Sequence, residues 1–299
     1  MKANIMSWRK ILLIVVFMAV IWFVWHNIEG IAAFKFRFDW RYSALGFFSV
    51  VATYLASFII WRKIAKSLGL SAPILTEGSA WFLSQLGKYV PGKIALLLVR
   101  LDAYRGYSKR KVTIATGIEY IAYLASVCLL ILISFAFMNM PSFIRWFAVI
   151  GAIGLPICLW PPLCRRIING LFKLIKVEPV EVMLPYRLVL QFVSAYTLCG
   201  LLNGLGIFFV LNSFSALSVK YYLTITGAYQ VASLIGIAAI FAPAGLGVRE
   251  GVLFLLLPAF IPKPAVIAGA ITMRLIVTFT EILLTAGFVT AKKYQGRVK

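Results

Sequence analysis

FAPAGLGVREG, residues 241–251, is the stretch whose reading decides the fold. It brings Pro243, Gly245, Gly247, Arg249, Glu250 and Gly251 into a chain that is otherwise mostly hydrocarbon. SLIGIAAI precedes it and VLFLLL follows it. Irregular backbone and charge at membrane depth are tolerated only inside protein or beside a water-filled cavity. The stretch therefore reads as the tip of a broken, re-entrant helix.

Working outward, the composition sets the class. The 299 residues are 62% hydrophobic and 13% charged, with a mean hydropathy of +0.95. Too little polar surface remains to coat a soluble domain. Apolar runs near 11–26, 42–61, 112–139, 145–163, 187–213 and 265–291 are each candidate spans. The first run resembles a signal sequence. No small-x-small cleavage site follows it, so it reads as an uncleaved span. The net charge of +21 raises the question of nucleic acid. Lys and Arg instead gather in short loops between apolar runs, as the positive-inside rule expects, so no nucleic-acid partner is expected. That basic face would attract anionic lipid.

Two regions do not read as simple spans: 74–104 and 222–257. If each is a hairpin that returns to its own side, residues 62–66, 100–111, 165–176 and 292–299 share the cytoplasmic face. Lys35, Arg37, Arg41, Arg145, Lys220 and Lys263 then lie outside. This assignment has the stronger positive-inside bias. The expected fold is an all-α polytopic membrane protein with about six full spans plus two re-entrant helical hairpins. Both termini are cytoplasmic in a bacterial or archaeal cell (inner) membrane. Residues 164–177 alternate Ile and Leu with Arg and Lys at helical spacing, which predicts an interfacial amphipathic helix.

The hairpins organise an inverted-topology repeat within a single transmembrane domain. Repeat one covers about 1–140 and repeat two about 141–299. Span, hairpin, span recurs with opposite entry. SQLGKYVPGK at 84–93 and SLIGIAAIFAPAG at 233–245 both place Ser and Gly before a break at Pro.

Each break predicts a half-helix whose free N–H groups carry the positive end of the dipole. Lys88, Pro91, Gly92 and Lys93 mark one tip; Pro243, Gly245, Gly247, Arg249 and Glu250 mark the other. Free N–H groups beside a basic side chain make an anion site. The competing reading gives Gly a packing role and Arg249 a partner in Glu250 or Glu281. Arg274, Thr278 and Glu281 share a face of the last span, either lining a path or forming a structural ion pair. Glu119 is a counter-ion, a proton carrier or a partner for Lys88 or Lys93. Gly200 and Gly204 read as a helix-packing pair.

Other chemistry finds little support. His26 lies among Trp22, Trp25 and Asn27, an interfacial setting. Cys128, Cys158, Cys164 and Cys199 form no C-x-x-C pair, so no metal or other cofactor is expected. No phosphate-binding G-x-x-x-x-G-K-[ST] loop is present, and the loops are too short for a catalytic domain.

WFLSQLGKYVPGK at 81–93 and APAGLGVREG at 242–251 together resemble the transmembrane flippase domain of the lysylphosphatidylglycerol synthases, the multiple peptide resistance factor family. The resemblance covers about residues 40–290. It implies movement of a lipid between leaflets, with both tips at the transport cavity. The chain lacks the soluble aminoacyl-transferase domain of the fused enzymes, so the expectation is a non-enzyme. The implied substrate is a phospholipid, an aminoacylated phospholipid or a polyprenyl-phosphate-linked sugar. Two rivals stand beside it. One is a non-transporting subunit that recruits a lipid-modifying enzyme or glycosyltransferase through the 164–186 region. The other is an ion-coupled transporter of a small anion. A homo-oligomer is compatible with any of these.

Overall fold

A computed structural model describes residues 38–89, 95–134, 142–158, 160–163, 166, 169, 184–239 and 242–295. The first apolar run, the tip residues Pro91, Gly92 and Lys93, and nearly all of the 164–177 stretch lie outside them. Among the described residues the chain is helical, with no strand.

Four helices are long and apolar enough to cross a bilayer: α1 (Trp40–Ser67), α4 (Lys109–Ser134), α6 (Tyr186–Asn212) and α9 (Lys263–Gln295). At 1.5 Å per residue the 28 residues of α1 reach about 42 Å, beyond the ~30 Å hydrocarbon core. The 145–163 run becomes α5 (Ser142–Cys158), 17 residues with Pro156 inside. At about 26 Å it is short for a straight crossing.

The two irregular regions are two broken pairs. The first is α2 (Ile74–Leu86), a 3-10 turn (Gly87–Tyr89) and α3 (Ala95–Ala103). The second is α7 (Tyr222–Ala238), a 3-10 turn (Pro243–Gly245) and α8 (Val248–Leu256). Within each pair the helices pack on one another, and the two 3-10 turns touch. With nine residues each, α3 and α8 reach about 14 Å, so neither crosses alone.

Local chemistry sets several ends. Asp39 caps α1 by accepting the Arg41 N–H at 3.0 Å. At the other end Leu70 N–H donates to Ala65 at 2.9 Å and Gly69 N–H to Lys66 at 2.9 Å, a Schellman closure. Pro73 and Pro185 precede α2 and α6, where a missing N–H costs nothing.

Among the described residues, packing joins these elements around two large apolar cores and a smaller one of Val127, Ile131, Ala148 and Val231. Trp61, Ile64, Trp81, Phe82 and Ile118 centre one large core, and Ile207, Leu211, Ile225, Leu257 and Val266 the other. The outward surface is also apolar. Phe48, Phe143, Trp146, Leu198 and Leu255 are all exposed, as expected of side chains that face lipid.

The α1–α6 crossing depends on small residues. A Cβ on Gly46 would stand 2.7 Å from Val210 Cγ2 and 3.0 Å from the Gly206 carbonyl. We expect Gly46→Leu to force α1 off α6, at about 1–3 kcal/mol. The measurement is the melting temperature in detergent. Gly117→Leu, where nothing lies within 4 Å, serves as the control expected to melt near wild type. Equal melting of both variants would show that the crossing tolerates bulk.

Candidate functional site

The touching turns border a cavity of about 210 Å³. Tyr54, Trp81, Gln85, Lys88, Tyr123, Tyr196, Asn203, Tyr229, Ser233 and Arg249 are among its lining residues. The wall is therefore rich in hydroxyl and amide donors, with Lys88, Arg100 and Arg249 as cations.

Two buried carboxylates hold this wall. Glu281 on α9 is fully buried and accepts from Lys88 Nζ and Tyr54 OH. Its second oxygen accepts from Tyr89 OH at 3.0 Å, and that hydroxyl also meets Thr278 Oγ1 at 3.0 Å. Glu119 on α4 accepts from Trp81 Nε1 at 2.8 Å, from Arg100 Nη1 and, at 3.4 Å, from Tyr196 OH. Arg100 is 1% exposed; it donates to Ser84 Oγ at 3.0 Å and stacks on Trp61 at 4.0 Å. In both clusters a carboxylate ties a long helix to a broken pair, and a tyrosine from another long helix completes it.

Charges sort differently from the sequence expectation at several points. Glu119 holds Arg100 instead of Lys88. Glu281 holds Lys88 instead of Arg274. Arg274 gives Nη1 and Nη2 to the Ala244 carbonyl, each at 3.1 Å. Arg100, counted above with the cytoplasmic loop charges, is buried because Glu119, Ser84 and Trp61 receive it. Glu77 is likewise fully buried, accepting from Arg62 Nε at 2.6 Å and Ala72 N–H at 3.2 Å.

The second tip is shaped by its glycines. Gly245 and Gly247 have φ of 69° and 78°, values that side chains resist. Gly247 is the N-cap of α8, and Arg249 sits in that helix's first turn. A Cβ on Gly236 would meet Arg249 Cγ at 2.7 Å and Nε at 2.8 Å, so the Arg249 stem lies directly across Gly236. Arg249 has no carboxylate within ion-pair distance among the described residues, and its Nε is buried without a hydrogen-bond partner there. Glu250 Oε2 is buried and unpartnered in the same sense.

Of the residues singled out in the sequence, Lys88, Glu119 and Arg249 line the cavity. Thr278 and Glu281 stand behind Lys88 and Tyr89, and Arg274 braces the Pro243–Gly245 turn. Gly200 and Gly204 face Leu130 and Thr226 across helix contacts. Tyr54, Tyr89, Arg100, Tyr196 and Tyr229 were not anticipated. Polar-tipped aromatics inside apolar runs were the available signal, and they read as ordinary span residues.

A scan against known families matches residues 10–284 to the lysylphosphatidylglycerol synthase TM region. The chain belongs to this family. The lysylphosphatidylglycerol synthase TM region is a membrane domain, which agrees with the four apolar spans and the apolar outer surface. No curated protein matches the chain.

Proposed function

We propose that this member of the family moves a lipid with an anionic headgroup between the two leaflets. The observation that carries the reading is Arg249. It is a guanidinium in the wall of a cavity, at the start of a broken helix, with no carboxylate partner among the described residues. Such a charge at membrane depth is costly unless an anion visits it. Lys88 borders the same cavity from the other broken pair. The headgroup would sit between the tips while its chains stay in lipid.

On this reading the broken pairs are re-entrant hairpins of an inverted repeat. The packing supports that view. Exchanging α1 with α6, α2 with α7, α3 with α8 and α4 with α9 carries the α1–α6 pair onto itself and each other packed pair of these helices onto another packed pair. The same exchange carries the Tyr196–Glu119 contact, α6 to α4, onto Tyr54–Glu281, α1 to α9.

The test is reconstitution into liposomes holding a tail-labelled phosphatidylglycerol, with dithionite quenching of the outer leaflet. Wild-type protein should expose inner-leaflet label that empty liposomes keep hidden. Quenching that stops at the empty-liposome level, for this lipid and for a polyprenyl-phosphate probe alike, would overturn the proposal.

A further inference from the structure

A second cation in the cavity wall is already engaged. Lys88 lines the cavity, its side chain is 22% exposed, and its ammonium rests on the fully buried carboxylate of Glu281. Among the described residues, the other groups that bond this carboxylate are tyrosine hydroxyls, Tyr54 from α1 and Tyr89 from the first 3-10 turn. Glu281 therefore depends on Lys88 alone for a bonded cation among the described residues.

The remaining charged groups nearby do not take that role. Arg274, on the same helix, gives both terminal nitrogens to the Ala244 carbonyl and stands 5.8 Å from the Tyr89 ring, and makes no ion pair with Glu281 among the described residues. Arg249 on α8 has no carboxylate within ion-pair distance among the described residues, and Glu250 leaves one oxygen buried without a partner there. From α2, Glu77 is held by Arg62, and Gln85 is uncharged. From α6, Tyr196 is held by Glu119.

A phosphate entering this cavity meets both Arg249 and Lys88 in its wall. Lysine suits an exchange: a compact ammonium on a flexible stem can turn from a carboxylate to a phosphate without moving the backbone. Once Lys88 turns, the Glu281 carboxylate is left buried with hydroxyl donors only. A buried carboxylate without a cation neutralises itself by taking a proton.

We propose that Glu281 is a proton-coupling site, which takes up one proton when an anionic headgroup draws Lys88 away. This rests on the reading of the cavity given above. The balance is simple. Lys88 keeps its proton throughout. One proton from water joins a Glu281 oxygen, and one negative charge enters with the phosphodiester. When the headgroup leaves on the far side, Lys88 returns to Glu281 and the proton is released there. Headgroup and proton thus cross together with no net charge, so a monoanionic lipid would cross with a dependence on the pH gradient and none on the membrane potential.

The experiment uses the full chain in detergent with dioctanoyl phosphatidylglycerol as the probe. Binding is followed by intrinsic tryptophan fluorescence, and protons by a pH dye in weak buffer. The expected result is uptake of close to one proton per lipid bound. Affinity should then fall by up to tenfold per pH unit as pH rises through the coupled range. Glu281→Gln keeps the shape and the acceptor oxygen; it should bind with no uptake and a flat pH profile. Lys88→Met should bind more weakly and also without uptake, because Glu281 is already neutral in the empty protein. Wild-type binding without proton uptake, or unchanged uptake in Glu281→Gln, would overturn the coupling and leave the cavity reading intact. No binding of this lipid or of a polyprenyl phosphate at any pH from 5 to 8 would remove both.

Discussion

Arg249→Ala should cut lipid translocation by about ten- to a hundredfold at limiting substrate. A hydrogen bond to a charged group contributes about 1.5–3 kcal/mol, and each 1.4 kcal/mol is roughly tenfold in affinity. The loss should be in transport rather than in folding. Arg249 makes no ion pair among the described residues, so its removal leaves no carboxylate stranded. Arg249→Lys keeps a positive charge but loses the planar fork, and should recover only part of the rate. Gly236→Ala supplies an independent check. Its methyl would stand 2.7 Å from Arg249 Cγ and push the guanidinium out of place, so it should mimic Arg249→Ala with the arginine still present. The readout is the initial rate of dithionite-accessible label, with melting temperature measured alongside. Wild-type rates in both variants would show that Arg249 is a packing residue.

The second large effect concerns stability. Glu119→Ala strips the partner from Arg100, which is 1% exposed. Breaking a buried pair by removing one member costs about 3–5 kcal/mol, because the other charge stays buried and uncompensated. A fall in melting temperature on the order of 10 °C is expected. The joint replacement Arg100→Met with Glu119→Leu removes both charges and should restore most of the loss. A Glu119→Ala shift below about 2 °C would mean that Arg100 finds another anchor. This pair therefore differs in role from Lys88–Glu281. Arg100 is locked between Glu119, Ser84 and the Trp61 ring, whereas the Lys88 side chain is 22% exposed beside the cavity.

How much of this was legible in the residues follows from how local each cause is. The second break was legible, because Pro and Gly act on their own backbone. The second half-helix starts at Val248, just past Gly247, as the glycine pattern implied. The long spans were legible from apolar length alone. Charge partners were not. Lys88 and Glu281 lie 193 positions apart, and which faces meet is decided by helix crossings that leave no local mark. Arg100 shows the same limit from the other side. A charge at the end of an apolar run reads as the edge of the membrane, yet three groups from α1, α2 and α4 receive it in the interior. Tyr54, Tyr196 and Tyr229 were hidden because a tyrosine inside an apolar run reads as one more span residue, while its hydroxyl does the bonding.

Ala244 carries a last consequence. Its φ of 52° is the left-handed value that an alanine adopts only at a cost of about 1–2 kcal/mol. Its carbonyl is gripped by both terminal nitrogens of Arg274, from a helix thirty positions further along the chain. The bend is thus imposed from outside the loop. Transplanted into another host, FAPAGLGVREG would carry its glycines but not this kink. The recognisable motif in the sequence is only half of a device whose other half is a single arginine on α9.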